Sequence, residues 1–247
     1  MIRLKSLWAA ATVVGAAASL AVPTVTTGAP LPAQLDPSLC APSNTFSTTI
    51  TNPYFPLQVG QRWVYQGKEQ GETIGLRITV LNRTETFTFG SRSVVTRVVE
   101  ELEWVDADAD GRVDRSEELI EVSRNFFAQT SAGTVCYFGE TVDIYENGVV
   151  VSHEGSWRAD APGNAPGIFM PASPQEGMTF QQEMAPGVAE DQATILRTGR
   201  TVTVPAGTFE NAIVVRDFNP LDGSRGTKVY APNVGLVRDG PLDLISY

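Results

Sequence analysis

Apolar positions along this chain fall in short runs, and within many of them the spacing is two. Thr86-Phe87-Thr88-Phe89, Thr201-Val202-Thr203-Val204 and Leu76 to Leu81 alternate, whereas Ala212 to Val215 and Val149 to Val151 are continuous. Further runs lie at Gln61 to Gln66, Val94 to Val99, Thr134 to Phe138, Thr141 to Tyr145, Lys228 to Tyr230 and Leu242 to Ile245. β-branched and aromatic residues dominate them, and their lengths suit strands. The connectors carry turn chemistry: Asn147-Gly148 suits a two-residue hairpin needing φ > 0 at both positions, and Pro205-Ala206-Gly207, Asp222-Gly223 and Asp239-Gly240 are further turns. Strands so regularly spaced, with no helical pattern between them, predict an all-β antiparallel meander. A sheet that long must curl into a barrel, half-barrel or sandwich to cover its apolar face. Residues 159–177 break the rhythm, reading as a Pro/Gly-rich crossing with Ile168-Phe169-Met170 as an apolar plug that seals one mouth.

The N-terminus has its own pattern. Arg3 and Lys5 precede an almost wholly apolar run from Leu7 to Val22, which Pro23 interrupts. This describes a secretory signal peptide, and the run is short for a membrane span. The expected organisation is a signal peptide and start of a lead-in over 1–29, an extended lead-in over 30–45, and one β domain over 46–247. The protein is expected to be secreted, extracellular or periplasmic, with no transmembrane segment once the signal is removed.

Charge narrows the partners. The chain holds 28 acids against 18 bases, and loss of Arg3 and Lys5 leaves 16 bases, for a mature net charge near −12. Such a surface repels nucleic acid and anionic membranes, which are set aside as partners. The two cysteines, Cys40 and Cys136, suit a disulfide in an exported protein, with two buried thiols as the alternative.

The sharpest motif runs from Asp106 to Glu117. Acids stand at Asp106, Asp108, Asp110, Asp114 and Glu117, positions 1, 3, 5, 9 and 12 of the stretch, with Gly111 at position 6 and Val113 at position 8. The twelve residues resemble an EF-hand-type calcium loop. Ca2+ is a hard cation that takes six to eight oxygens, so alternating carboxylates converging from one turn suit it. The resemblance implies that Asp106, Asp108 and Asp110 are ligands and that Arg112 offers its carbonyl. Asp114 would bind directly or through water, and Glu117 would close the site with two oxygens. Glu118 stands where the EF-hand pattern has an apolar residue opening a helix. The flanking residues fit helical spacing tolerably but are rich in β-branched side chains, and a loop at the tip of a β-hairpin is the favoured reading over a helical unit.

Further segments occur together: Thr51 to Leu57, Cys136 to Glu140, Gly155-Ser156-Trp157, Pro166 to Pro171, Gln182-Glu183, Ala189-Glu190-Asp191, Val204 to Phe209 and Tyr230 to Val237. With them the chain resembles a group of secreted bacterial β-rich proteins, a likeness that implies an antiparallel β fold and brings no activity. The last two segments are also similar to exported half-barrel proteins that carry lipids, at the level of fold.

Catalytic constellations are sparse. His153 is the only histidine, and no nucleophile beside it forms a triad. Glu183 with Glu190 or Asp191 could supply a carboxylate pair for glycoside chemistry, although acids near turns are more often solvated. The expected function is therefore a secreted, calcium-binding β protein with a structural or ligand-binding role, and not an enzyme. One alternative is a carrier of an apolar, lipid-like ligand with Ile168-Phe169-Met170 as its lid. Another is a carboxylate-dependent hydrolase. Trp63, Tyr65, Trp104, Tyr137 and Trp157 read as core or rim aromatics, with a saccharide- or lipid-contacting patch as the minority reading.

Overall fold

A computed structural model describes residues 34–115 and 117–247. The expected signal peptide lies outside the described residues. The chain runs through a short 3₁₀ turn (Pro37–Cys40), then β1 (Phe46–Ser47), β2 (Ile50–Asn52), β3 (Phe55–Leu57), β4 (Arg62–Glu69), β5 (Glu72–Phe89) and β6 (Arg92–Val105). It continues through β7 (Glu118–Thr130), β8 (Val135–Glu146), β9 (Val149–Ser152), β10 (Trp157–Arg158), β11 (Ala165–Met170), β12 (Thr179–Gln181) and β13 (Glu183–Met184). The last third holds β14 (Gln192–Val204), β15 (Gly207–Phe218), β16 (Arg225–Ala231), β17 (Gly235–Asp239) and β18 (Leu242–Ser246). No helix among the described residues is long and apolar enough to cross a membrane.

Strand pairing is antiparallel throughout the main sheet, in the order β12-β14-β15-β16-β17-β18-β4-β5-β6-β7-β8-β11-β13. Its two end strands, β12 and β13, are separated along the chain by Gln182 alone. One covalent segment thus joins both ends and nearly closes the sheet into a barrel. Closure of this kind removes most of the exposed edge. Gly167 in β11 makes the seam possible, because a Cβ there would stand 2.0 Å from the Gln182 carbonyl oxygen of the closing segment. At β8–β9 the turn is a two-residue hairpin with φ of 53° at Asn147 and 74° at Gly148, as its residues predict.

Ile168, Phe169 and Met170 form part of β11 and are wholly buried against β8. The expected loop plug is instead a core strand, since three consecutive large apolar residues gain more as a strand covered on both faces than as a loop. Phe169 packs at 4.5 Å from Phe55 and 4.8 Å from Phe127, ring centroid to centroid, and Phe127 stacks on Tyr137 at 4.9 Å. The 3₁₀ turn and β1 lie over β8 and β7, where Cys40 is bonded to Cys136 and Phe46 packs edge-on to Phe138. The residues of the lead-in from 34 onward thus contribute a bridge to Thr179, the 3₁₀ turn and half of the disulfide.

Candidate metal centre

Both flanks of the acidic loop are strands. β6 ends at Val105, which pairs with Glu118 at the start of β7, so residues 106–117 form the tip of a β-hairpin. Residue 116 lies outside the described residues. The local sequence dictates the coil: Ala109 and Gly111 adopt φ of 59° and 71°. The second suits glycine, whereas at Ala109 the Cβ carries the usual left-handed cost. Short side chains hold the turns, with the Asp110 N–H donating to Asp108 Oδ1 at 3.1 Å and the Arg112 N–H to Asp110 Oδ1 at 2.8 Å. Asp106 anchors the loop to the barrel. Its N–H donates to the Thr73 carbonyl at 2.9 Å, and its Oδ2 accepts from Gln66 Nε2 at 2.6 Å and from the Gly111 N–H at 3.0 Å.

Asp106, Asp108, Asp110 and Glu117 come together, one carboxylate oxygen from each lying within 4.8 Å of the others. Asp106 is fully buried, and its Oδ1 takes no hydrogen bond. Both Glu117 oxygens are likewise shielded from water. Burial and the charge of Asp106 push the Glu117 carboxyl up to about 7. A cluster so arranged could hold a metal ion. Of the other residues expected there, Arg112 and Asp114 lie exposed on the loop, and Arg112 contributes its N–H to Asp110.

A second acidic feature escapes sequence reasoning. Eight carboxyl groups outside the loop are buried: Glu101, Glu103, Glu121, Glu140, Glu183, Asp191, Asp217 and Asp239. Among the described residues one base, Lys228, is buried with them. Register brings them together on one face: Glu103 opposes Glu121, Asn125 opposes Glu140, and Lys228 opposes Asp239. The Tyr137 hydroxyl donates to Asn125 Oδ1 at 2.5 Å, and Asn125 Nδ2 to Ser123 Oγ at 3.2 Å. Burial, then the neighbouring Glu183, pushes Asp191 up to about 9; burial also raises Glu121 to about 8 and Glu183 to about 7. Glu140 is raised by burial and by Glu183.

Glu183 and Asp191 are thus neighbours, with the Asp191 N–H donating to Glu183 Oε2 at 3.4 Å. Glu190 is engaged elsewhere, accepting from the Gly187 N–H at 2.7 Å as part of the turn. The visible signal for the interior acids was the alternation of Glu101 and Glu103 with Leu102 and Trp104, a pattern that leaves open which face of the strand is enclosed.

No protein-family model and no curated protein matches the chain. Among solved structures, the chain is similar to that of a Bacteroides fragilis NCTC 9343 protein with a YmcC-like fold. The two share 16% identity at a TM-score of 0.36, over 78% of this chain and 97% of that one.

Proposed function

We propose that this is an exported β-barrel protein whose Asp106–Glu117 loop binds Ca2+, and that the ion braces the β6–β7 hairpin. The observation that carries this reading is Asp106 Oδ1, a buried carboxylate oxygen with no donor, placed within a cluster of three further carboxylates. Crowded like charges are costly without a counter-ion. The donor set is all oxygen, which suits a hard cation over a soft one, and a flexible coil of alternating acids suits the high coordination number of Ca2+. Export rests on the N-terminal sequence, and it places the loop where calcium is plentiful enough to fill a site with Kd on the order of 10⁻⁴ to 10⁻³ M. Ile168, Phe169 and Met170 are core residues, so the apolar-carrier reading loses the lid on which it depended.

The test is calorimetric titration of the mature protein with CaCl2, and with MgCl2 as a control, beside an Asp106→Ala/Glu117→Ala variant. Saturable binding of one Ca2+ per chain, absent from the variant and accompanied by a melting temperature that rises with calcium, is the expected result. An absence of heat at millimolar calcium would reduce the loop to a solvated acidic turn.

A further inference from the structure

The barrel closes through a short join of strands with buried acids beside it. β13 meets β11 through two residue pairs, Ala165 with Met184 and Pro166 with Glu183. Adjacent antiparallel pairs alternate between hydrogen-bonded and non-hydrogen-bonded, so Pro166, which has no N–H, takes the non-hydrogen-bonded place and the ladder rests on the pair beside it. On the other side of the seam β12 meets β14 through three pairs. By contrast β5 and β6 pair along most of their length.

The carboxylates converge at that seam from different strands. Glu183 lies in β13 itself, and Asp191 lies on the return of the same turn, its carbonyl accepting from the N–H groups of Gln182 and Glu183 at 2.8 and 3.2 Å. Close enough to act on them by charge are Glu140 of β8, Asp217 of β15 and Lys228 of β16, with Asp222 acting on Asp191 and with Glu121 of β7 and Glu101 of β6 acting on Glu140. Tyr137 of β8 lies within the field of Glu140 and Glu183. Lys228 is held by Asp239 at 3.0 Å and Asp217 at 3.4 Å, and its charge also favours ionised Glu183 and Asp191, so one cation is shared among four acids. Glu140 Oε2 and Asp191 Oδ1 are buried without a hydrogen bond.

We propose that the seam is a proton-operated latch: while Glu183, Asp191 and Glu140 are neutral, β13 (Glu183–Met184) stays paired with β11, and their ionisation drives it off, opening the barrel along one line. Three like charges in a low-dielectric interior with a single shared lysine repel strongly, and the contact they oppose is one of the shortest joins of the sheet. Burial and mutual repulsion hold these carboxyls neutral well above the ordinary range, which sets the opening between neutral and alkaline pH.

Amide hydrogen exchange at constant calcium, corrected for the intrinsic pH dependence of exchange, tests this on the full mature chain. Between pH 6 and pH 9.5 the peptides covering residues 165–167 and 183–184 should lose protection by roughly tenfold or more, while the β5–β6 hairpin keeps its own, as expected of one locally opening unit. Glu183→Gln/Asp191→Asn should hold the seam protected at both pH values. Glu140→Gln, which leaves the turn intact, should move the loss to higher pH. Equal protection at both pH values in the unaltered protein overturns the proposal whatever the variants do. So does a loss shared equally by β5–β6, or one that persists unshifted in the variants.

Discussion

Lys228 Nζ donates to Asp239 Oδ2 at 3.0 Å inside the barrel, with both residues buried and directly opposed on β16 and β17. Burial works against the ammonium charge, yet Asp239 and Asp217 together hold its pKa above the ordinary lysine value. Removing one partner of a buried pair leaves an uncompensated charge, which typically costs about 3–5 kcal/mol. Lys228→Met should therefore lower unfolding stability by about that amount in urea titrations at neutral pH. It should lose less at pH 5, where protonation of Asp217, itself raised to about 6, relieves part of the cost.

Global stability should fall as pH rises from mildly acidic to alkaline. The folded-state pKa values of Glu183, Glu121 and Asp191 stand at about 7, 8 and 9, against about 4 for unfolded carboxyls. The folded chain then binds more protons than the unfolded one across this window. The stabilisation is fully present below the unfolded pKa and is lost as pH rises through each folded value. Each such group lowers the folded-to-unfolded ratio by about tenfold per pH unit within its window. Denaturant unfolding at pH 5, 7 and 9 should give a descending series, and a flat or ascending one would contradict the buried-acid picture.

Gly111 is required first for its backbone conformation. Its φ is 71°, and a Cβ would stand 2.5 Å from Ile245 Cδ1. Gly111→Ala should weaken calcium binding by distorting the N–H that holds Asp106, and should destabilise by about 1 kcal/mol or more through the strained backbone. Calorimetry and thermal melts on the same preparation separate the two effects, because the melt without calcium reports strain alone.

Reduction of Cys40–Cys136 should also weaken the fold. The bond spans 96 residues, and closing a loop of that order restricts the unfolded chain by about 4–5 kcal/mol in the chain-entropy account. A Cys40→Ser/Cys136→Ser variant should unfold at markedly lower denaturant, with the 3₁₀ turn and β1 losing exchange protection first.

Much of the architecture was legible in the chain. Asn147-Gly148 forms the hairpin it encodes, the runs around residues 76–81 and 212–215 lie within β5 and β15, and the twelve-residue acidic loop closes at Val105 and Glu118 between two strands. The interior acids were not legible. A period of two separates the faces of a strand without saying which face is enclosed, and ordinary experience assigns Glu to water. In β6 and β7, Glu101, Glu103 and Glu121 are turned inward by closure, a property of the whole sheet. Ile168 to Met170 resemble a plug in a loop because their neighbours are Pro and Gly, whereas Gly167 is there to admit the Gln182 backbone.

The pairing of β4 with β18 carries a consequence for how the molecule is made. Residues 64–66 find their neighbours at residues 243–246, so one edge of β4 has no partner until β18 has emerged. The β4–β8 meander can assemble early from local contacts, but it must wait with an open edge while the rest is synthesised. Sequence separations of this size slow folding and leave an interval in which a foreign strand can take the vacant place. Delivery of the chain in an unfolded state across a membrane would suit such an order of assembly, because β18 is what joins the β4–β8 meander to the β14–β17 strands.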